Sequence, residues 1–392
     1  MREGWEYKKL GEVCCPKNKI QRAARCFDSS DKILYIDISS IDNTMQKVTD
    51  ITSVTFGDAP SRAQQKIEYG DIVVSTVRPN LKNIAIIDRY EPNIVASSGF
   101  CVLRNTECIE RNYLFHYVTS DIFTQHLMKI TTGANYPAVR DQDVRDSIIP
   151  LPPKSTQLAI VSELDKISEL IRLKKEQLKD FENIAQSIFY EMFGDPVENE
   201  MGWEVKKLGD VCSQITDGTH NSPINTKDGE FKYITAKNIK KEGIVLDNIT
   251  YVDADTHHSI YSRCNPKYGD ILYIKDGVTT GIATINNLDE EFSLLSSVAL
   301  LKLEDKIINY YLKAVLNTKT LYNCIRTNMG GAAITRLTLV KIKAIKIPLP
   351  PLHLQQLFAN RIEQIEHQKA EVQKAIADLE TLLASRMQYW FE

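Results

Sequence analysis

The 392-residue chain contains no run of about 18 apolar residues, so its sequence predicts no membrane-spanning helix. Its eight cysteines form no C-x-x-C pair, which argues against a structural zinc site or a disulfide framework. The first residues, MREGWEYKKLGEV, lack the apolar segment of a signal peptide. From these absences we expect a cytoplasmic protein with reduced thiols, no membrane association and no bound metal.

Sequence motifs for catalysis are missing as well. An adenine methyltransferase needs an (N/D/S)-P-P-(Y/F/W) loop, but the nearest string, NPKY at 265–268, lacks the second proline. The segment DGVTTGIAT at 276–284 has two glycines without a dinucleotide fingerprint, and no P-loop occurs. No serine lies in a G-x-S-x-G elbow. We therefore expect no catalytic residue in this chain, with an unrecognised enzyme as an alternative.

The formal net charge of −3 at pH 7 is unevenly distributed. Residues 1–150 contain 19 basic and 19 acidic side chains, and residues 203–348 contain 19 basic and 16 acidic ones. The acidic excess lies in the remaining segments, 151–202 and 349–392. Because a whole-chain charge can conceal a basic face, the composition does not exclude binding to nucleic acid.

The sequence repeats itself at half its length. GWEYKKLGEVC at 4–14 returns as GWEVKKLGDVC at 202–212, IIPLPPKSTQ at 148–157 as KIPLPPLHLQ at 346–355, and EYGDIVVS at 68–75 as KYGDILYI at 267–274. The chain is therefore two copies of one unit of about 198 residues, a duplication rather than a solenoid of short repeats. Because the unit is circular in order, we expect the two ends of the chain to lie close together.

Each copy begins with short β-rich segments, such as ILYIDI and DIVVSTV in the first and FKYI and DILYI in the second. A helical pattern of apolar residues follows, over 114–127 and over 312–325. These patterns predict a mixed α+β domain of about 150 residues in each copy.

After each IPLPP string, apolar residues repeat every 3.5 positions over about four heptads, which is the pattern of a coiled-coil seam. A helix of about 38 residues would be about 57 Å long, more than the diameter of such a domain. We therefore predict two antiparallel spacer helices over about 155–193 and 353–391, rather than helices laid on their own domains. The seam residues are Leu164, Ile167, Ile171, Leu178, Phe181, Ile188, Ile362, Ile365, Val372, Ile376, Leu379 and Leu383.

Taken together, these features resemble the specificity subunit of type I restriction–modification systems, the HsdS family. The resemblance covers the whole chain and rests on the G-W-E-x-K-K-L-G-(E/D)-V phrase, YGDI before a strand, IPLPP before a long helix, and the duplication. The family often continues with L-P-P-L-x-E-Q. This chain has Thr156 and Leu354 in place of the glutamate and keeps Gln157 and Gln355, which puts an inherited contact at the helix start in doubt.

The resemblance implies two target recognition domains, at 1–150 and 196–348, that read the two parts of a split DNA sequence. It implies that the helical regions, at 151–195 and 349–392, set the spacing and dock two methyltransferase subunits. Restriction subunits would complete the complex. S-adenosylmethionine, ATP and Mg²⁺ would belong to these partners, with no cofactor in this chain. The alternative is a coiled-coil scaffolding protein without sequence-specific DNA recognition.

Candidate DNA contacts are polar side chains in loops, because they match base edges and phosphates. In the first copy they are Arg78, Asn80 and Lys82 in STVRPNLKN, and Asn135, Tyr136 and Arg140 in TTGANYPAVRDQ. In the second copy they are His220 and Asn221 in TDGTHNSP, Lys237 in TAKNIK, and Lys275, Thr279 and Thr280 in YIKDGVTTG.

Other interpretations stay open at three of these places. Arg78 could form a surface salt bridge, Tyr136 could belong to a core, and TDGTHNSP could be only a turn. The neighbouring His257 and His258 are expected to be solvated rather than metal-bound. Because the first domain is near neutral, we expect weak DNA binding by the chain alone.

Overall fold

The computed structural model describes residue 2 and residues 4–133, 137–327 and 336–392. The chain divides into two compact units, each of which joins one globular domain to parts of two long helices. Unit 1 comprises Met1–Lys175 and Lys374–Glu392, and unit 2 comprises Glu176–Gln373. The candidates Asn135 and Tyr136 lie outside the described residues.

The globular part of unit 1 consists of short strands and short helices. Its strands are β1 (Glu6–Lys9), β2 (Lys32–Ile36), β3 (Ile41–Asp42), β4 (Lys47–Val48), β5 (Thr52–Thr55), β6 (Ala63–Lys66), β7 (Ile72–Ser75), β8 (Ile84–Ile86), β9 (Ile94–Ser97), β10 (Phe100–Leu103) and β11 (Ile148–Leu151). Its helices are α1 (Leu10–Val13), α2 (Arg111–Thr119), α3 (Asp121–Ile130) and α4 (Asp141–Arg145). The first long helix of the chain, α5 (Lys154–Phe193), follows.

The globular part of unit 2 has a similar inventory. Its strands are β12 (Glu204–Lys207), β13 (Cys212–Asp217), β14 (Phe231–Ile234), β15 (Thr250–Val252), β16 (Ile271–Ile274), β17 (Ala283–Ile285), β18 (Phe292–Leu294), β19 (Val298–Leu303) and β20 (Lys346–Leu349). Its helices are α6 (Ala254–Tyr261), α7 (Asn309–Asn317), α8 (Lys319–Thr327) and α9 (Leu339–Lys343). The second long helix, α10 (Leu352–Phe391), follows. The strands predicted from ILYIDI, DIVVSTV, FKYI and DILYI are confirmed as β2, β7, β14 and β16.

In each of the two larger sheets three strands correspond between the units, and β6 in unit 1 and β13 in unit 2 are additional. The larger sheets have the orders β5-β2-β9-β6 and β10-β7-β8 in unit 1, and β15-β14-β18 and β13-β19-β16-β17 in unit 2. The parallel pair β2–β9 has its counterpart in β14–β18, and the hairpin β7–β8 in β16–β17. The register is also repeated, because Ile72 lies opposite Ile86 and Ile271 opposite Ile285. The predicted duplication of a mixed α+β domain is confirmed.

The repeated phrases pair with each other inside each unit. Strand β1, from the GWE phrase, runs antiparallel to β11, from IPLPP, with Tyr7 opposite Pro150. Strands β12 and β20 do the same, with Val205 opposite Pro348. The carbonyl groups of these two prolines accept hydrogen bonds of 2.8 Å from the buried hydroxyls of Tyr113 and Tyr311. The two phrases therefore recur together because they form the base on which each long helix begins.

In each unit, segments of α5 and α10 run antiparallel to each other. In unit 1, Arg386 pairs with Glu163, and Lys175 lies 2.8 Å from Glu380. In unit 2, the ring of Phe189 lies 5.8 Å from that of Phe358. The predicted seam residues of both helices are buried or half-buried, as expected for side chains between paired helices.

The pattern over 114–127 does not form one helix. Helix α2 ends at Thr119 and α3 begins at Asp121, because Ser120 has an extended backbone and its hydroxyl accepts a hydrogen bond from the amide of Phe123. Thr318 also has an extended backbone, with φ −61° and ψ 142°, and separates α7 from α8, but its hydroxyl donates to the carbonyl of Val315 at 2.8 Å. Serine is suited to the position of Ser120 because its hydroxyl satisfies an exposed amide at the helix start.

Candidate nucleic-acid interface

The YGDI motif builds the scaffold beneath the candidate loops. Asp71 is buried and accepts hydrogen bonds from Arg104 Nε at 2.7 Å and from the amide of Glu68 at 2.9 Å. In unit 2, Asp270 accepts from Lys302 Nζ at 2.6 Å and from the amide of Lys267 at 2.8 Å. A charge-assisted bond to a side chain in or directly after the neighbouring strand, together with a bond to the turn, makes this carboxylate a structural anchor.

Gln157 and Gln355 make the contact at the start of each long helix. Gln157 Oε1 accepts from the amide of Glu110 at 2.7 Å, and its Nε2 donates to the carbonyls of Cys108 and Pro152. Gln355 is bonded in the same manner to Ile308, Lys306 and Pro350. Each helix start is therefore held by the retained glutamine without the family's glutamate, because a buried glutamine saturates backbone groups that water cannot reach.

In unit 1 the structure brings two candidate segments together. The amide of Arg78 donates to the carbonyl of Pro137 at 2.7 Å, and the amide of Val139 donates to the carbonyl of Thr76 at 2.9 Å. The first segment follows β7 and the second precedes α4. Arg78 and Asn80, in the first, and Arg140, in the second, are exposed. The two segments, with these three exposed side chains, define the candidate surface of unit 1.

The backbone of this surface is strained at two residues. Arg78 has φ 49° and Lys82 has φ 50°, on either side of the 3-10 turn at Pro79–Leu81. A residue with a β-carbon in this left-handed region costs roughly 1–2 kcal/mol, so the rest of the fold must enforce the conformation. Strain of this kind is concentrated at functional sites, which makes the loop a candidate for binding.

Two of the unit 1 candidates have acidic partners. Lys82 Nζ is half-buried and lies 2.7 Å from Asp121 and 3.1 Å from the carbonyl of Thr119, so it fixes the loop to the start of α3. Arg140 Nη2 lies 2.7 Å from Asp143, yet 84% of its side chain is exposed. This hydrogen bond raises the pKa of Arg140 and lowers the pKa of Asp143. Arg140 is therefore available at the surface, whereas Lys82 serves the loop itself.

The candidates of unit 2 are divided between surface and interior. His220, Asn221, Lys237 and Thr279 are exposed. Lys275 is only 2% exposed, and Thr280 is fully buried, with its hydroxyl bonded to the carbonyl of Gly277 at 2.7 Å. The structure therefore corrects the view of Lys275 and Thr280 as surface groups. It brings His220 and Lys275 together through Asp217, which lies 3.3 Å from each.

The expectation that both neighbouring histidines are solvated is wrong for His257. Its ring is buried and stacks on Phe231 at 3.8 Å with an angle of 2° between the planes, and its Nδ1 lies 3.1 Å from the Ser293 hydroxyl. Burial lowers the pKa of His257, although a hydrogen bond with Glu291 opposes the shift. His258 is exposed as expected. Within the described ranges, no group of three or more His, Cys, Asp or Glu side chains could hold a metal ion.

A basic segment of unit 1 is absent from the sequence-based candidates. Residues 16–25, PKNKIQRAAR, contain four exposed cations, and no acidic residue occurs between Glu12 and Asp28; the cations are Lys17, Lys19, Arg22 and Arg25. The segment lies along β6, where Arg22 pairs with Gln65 and the amide of Lys66 donates to the carbonyl of Gln21 at 2.9 Å. A local count of charge would have found this segment, which the neutral total for residues 1–150 conceals.

The family comparison agrees with this geometry. Residues 2–183 and 200–381 each match the model of the type I restriction modification DNA specificity domain. The chain belongs to this family. The two matches cover the two copies seen in the sequence, so the resemblance to type I specificity subunits and the predicted fold class are both confirmed.

Individual relatives of this specificity-subunit family are distant. The chain is 22% identical to the MjaIX specificity subunit of Methanocaldococcus jannaschii over 74% of this chain and 70% of the relative. It is 19% identical to the EcoKI specificity subunit of Escherichia coli K12, over 84% of this chain and 75% of the relative.

Solved structures show the same fold. One, from work on assembly and conformational transition of the type I R-M system, aligns with a TM-score of 0.62 and 27% identity over 100% of this chain and 98% of that chain. The S subunit of M. genitalium aligns with a TM-score of 0.54 over 99% of this chain and 96% of that chain. Because the two are only 15% identical, this likeness shows the fold alone. In the described part of this specificity subunit, no helix has the length and apolarity needed to cross a bilayer.

Proposed function

We propose that this chain is the DNA-recognition subunit of a type I restriction–modification complex and that each unit reads one half of a bipartite target. The observation that carries this proposal is the presence of different loops on the same scaffold. The Arg78 loop follows β7 in unit 1, and the loop at Asp276–Gly281 follows the equivalent strand β16 in unit 2.

Two similar readers in one chain suit a target with two different halves. Dimeric DNA-binding proteins read palindromes because their two readers are identical. Here the scaffolds are alike while the exposed side chains differ, with Arg78, Asn80 and Arg140 in unit 1 against His220, Asn221 and Thr279 in unit 2. The two half-sites should therefore differ in sequence. Helices α5 and α10 both continue from one unit into the other, and we propose that their length sets the gap.

Phosphate contacts would supply affinity rather than sequence preference. In unit 1 the exposed cations of residues 16–25 are suited to this role, because phosphate neutralisation releases counterions. Such contacts from one near-neutral domain give weak binding. Tight binding would need further basic surface from partner subunits.

The partners that we propose are two methyltransferase subunits together with restriction subunits. Two equivalent helix starts, at Gln157 and Gln355, provide two equivalent places for one type of partner. We further propose that this chain has no catalytic role and that S-adenosylmethionine, ATP and Mg²⁺ bind to the partners. Such a complex would act on DNA in the cytoplasm of a bacterium or an archaeon.

The paired long helices also favour a second candidate, a scaffold that joins partner subunits without reading DNA. Co-expression with the cognate methyltransferase, followed by sequencing of methylated bases in the host DNA, separates the two functions. The recognition subunit should direct methylation to one bipartite, asymmetric motif, and omission of the chain should abolish it. Methylation with no motif, or with the same motif in the absence of the chain, would support the scaffold instead.

A further inference from the structure

A chain of polar contacts crosses the candidate surface of unit 2. His220 Nε2 lies 3.3 Å from Asp217 Oδ1, and Asp217 Oδ2 lies 3.3 Å from Lys275 Nζ. Lys275 Nζ also lies 3.3 Å from Asp276 Oδ2. Arg336 Nε lies 3.2 Å from Asp276 Oδ1, at ion-pair distance but without an aligned hydrogen bond. The chain thus runs from His220 to Arg336 through two carboxylates and one ammonium group.

The central residues of this series of polar contacts are buried, and the residues at its two ends are exposed. Asp217 and Lys275 are almost completely buried, whereas 53% of the His220 side chain and 57% of the Arg336 side chain are exposed. A buried ion pair contributes little net stability but is costly to break, because one charge is then left unpaired. Such a pair can hold its neighbours in one arrangement while the exposed ends remain free to meet a ligand.

The series of polar contacts joins three segments that are distant in sequence. Asp217 ends β13, Lys275 and Asp276 follow β16, and Arg336 precedes α9. Backbone bonds reinforce the junction, because the amide of Leu337 donates to the carbonyl of Lys275 at 2.8 Å. The buried pair therefore fixes the position of the His220 loop relative to the other two segments.

Gly218 allows the His220 loop to reach this position. A β-carbon at Gly218 would lie 1.9 Å from the carbonyl oxygen of Leu294, which is impossible without moving the backbone. The amide of Thr219 donates to that same oxygen at 2.8 Å. Close packing against Leu294 therefore requires a glycine at position 218. The loop is fixed to β18 rather than freely mobile.

The positions of unit 1 that match Lys275, Asp276 and Arg336 are uncharged. Its β7 is followed by Thr76 and Val77 where unit 2 has Lys275 and Asp276, and Ala138 occupies the place of Arg336. The backbone pairing is the same, because Val77 bridges Ala138 and Asp276 bridges Arg336. The scaffold forms without these charged contacts, so the contacts have a role that is specific to unit 2.

We propose that Lys275 is a positioning residue for DNA recognition by unit 2: with Asp217 and Asp276 it holds His220 and Arg336 in the arrangement that reads base edges of one half-site. Lys275 does not touch the DNA. The two exposed cationic or imidazole groups do, since both can donate to acceptors on base edges in the major groove. This inference rests on the proposed function.

The test uses the full complex with its methyltransferase and compares methylation across DNA libraries randomised in each half-site. The first variant, Asp217→Asn/Lys275→Met, removes the buried pair and leaves Asp276 with Arg336. We expect discrimination in the unit 2 half-site to fall by about tenfold or more at one or more positions, with the unit 1 half-site unchanged. The second variant, His220→Ala/Arg336→Ala, changes only exposed side chains and should lose preference at the same positions.

The combined variant separates positioning from a general effect on stability. If Lys275 acts through His220 and Arg336, removing the buried pair from the His220→Ala/Arg336→Ala background should not reduce discrimination further. The matched control is Lys232→Met/Glu290→Gln, which removes another ion pair of unit 2, with 2.7 Å between its charged atoms, and should leave the motif unchanged.

Three outcomes would overturn the inference. An unchanged motif in the His220→Ala/Arg336→Ala variant would show that these groups read no base, even if the buried-pair variant failed to fold. An unchanged motif in a folded buried-pair variant would show that the pair only supports the fold. An equal loss of discrimination in the control variant would show that the effect comes from general instability of unit 2. If the wild-type complex wrote no bipartite motif, the proposed function itself would fail, and this outcome is distinct from the others.

Discussion

The ring of Phe391 lies 5.4 Å from the ring of Tyr113, so the last helix of the chain ends in the core of the first domain. The equivalent rings in unit 2, Phe193 and Tyr311, lie 4.9 Å apart. In unit 2 the helix end continues directly into the GWE phrase. In unit 1 the two are opposite ends of the chain, where Trp5 stacks on Trp390 at 6.3 Å. The expectation that the chain ends lie close together is confirmed.

Phe391 should therefore stabilise unit 1 although it is the penultimate residue. Phe391→Ala removes a buried ring, and we expect it to lower the free energy of unfolding by about 3–5 kcal/mol. Urea unfolding can be followed by the fluorescence of Trp5 and Trp390 in a Trp203→Phe background, because both reporters then lie in unit 1. The control is Leu382→Ala, an exposed residue of the same helix, which should cost much less. Similar losses in the two variants would contradict the proposed core role of the chain end.

The Arg78 loop should affect only one half-site. Arg78→Ala/Asn80→Ala removes two exposed polar groups from unit 1, and the removal of each base-reading group should reduce discrimination by about 1–3 kcal/mol. The methylated motif of the complex gives the result directly, with Arg89→Ala, an exposed arginine paired with Glu91, as the control. A change of preference in both half-sites would contradict the assignment of one unit to each half.

The basic segment of unit 1 should contribute to the salt dependence of binding. Lys19→Gln/Arg22→Gln/Arg25→Gln should weaken binding to all DNA sequences and reduce the slope of log K against log salt by about 0.9 for each phosphate that is no longer neutralised. The slope can be measured by fluorescence anisotropy of the complex over a series of salt concentrations. Neutralising Lys166 and Lys179 on α5 and Lys374 on α10 is a control with the same change in charge. An equal effect of the two triple variants would mean that only net charge matters.

His257 should make unit 2 less stable in mild acid. The folded pKa lies below the ordinary value of 6.5 because burial disfavours the charged ring, so the unfolded chain takes up this proton at higher pH than the folded chain. The stability contributed by neutral His257 is present above about pH 6.5 and is lost as the pH falls through the lower, folded pKa. Hydrogen exchange of peptides from β14 and α6, compared at each pH with His257→Gln, measures this contribution. A parallel pH dependence in the two proteins would show that another group is responsible.

Much of the architecture is determined by the sequence. The duplication, the strand at ILYIDI, the strand that begins in YGDI and the two 40-residue helices follow from local periodicity and from breakers such as Pro-Pro, which act on neighbouring residues alone. The break at Ser120 was missed because apolar spacing continues across it, and only the cap formed with Phe123 marks the new helix. The family could also be inferred from residues, because its motifs are contiguous.

Tertiary structure alone decided which polar groups reach the surface. Lys275 and Arg78 lie on equivalent loops, but Lys275 is buried because Asp217, from another strand, supplies its counter-charge. His257 is buried because its ring stacks on Phe231 and is hydrogen-bonded to Ser293. Gln157 acquires its role from backbone groups near residue 110. In each case the partner is distant in sequence, and the free energy of burying a polar group depends on that partner rather than on the residues beside it.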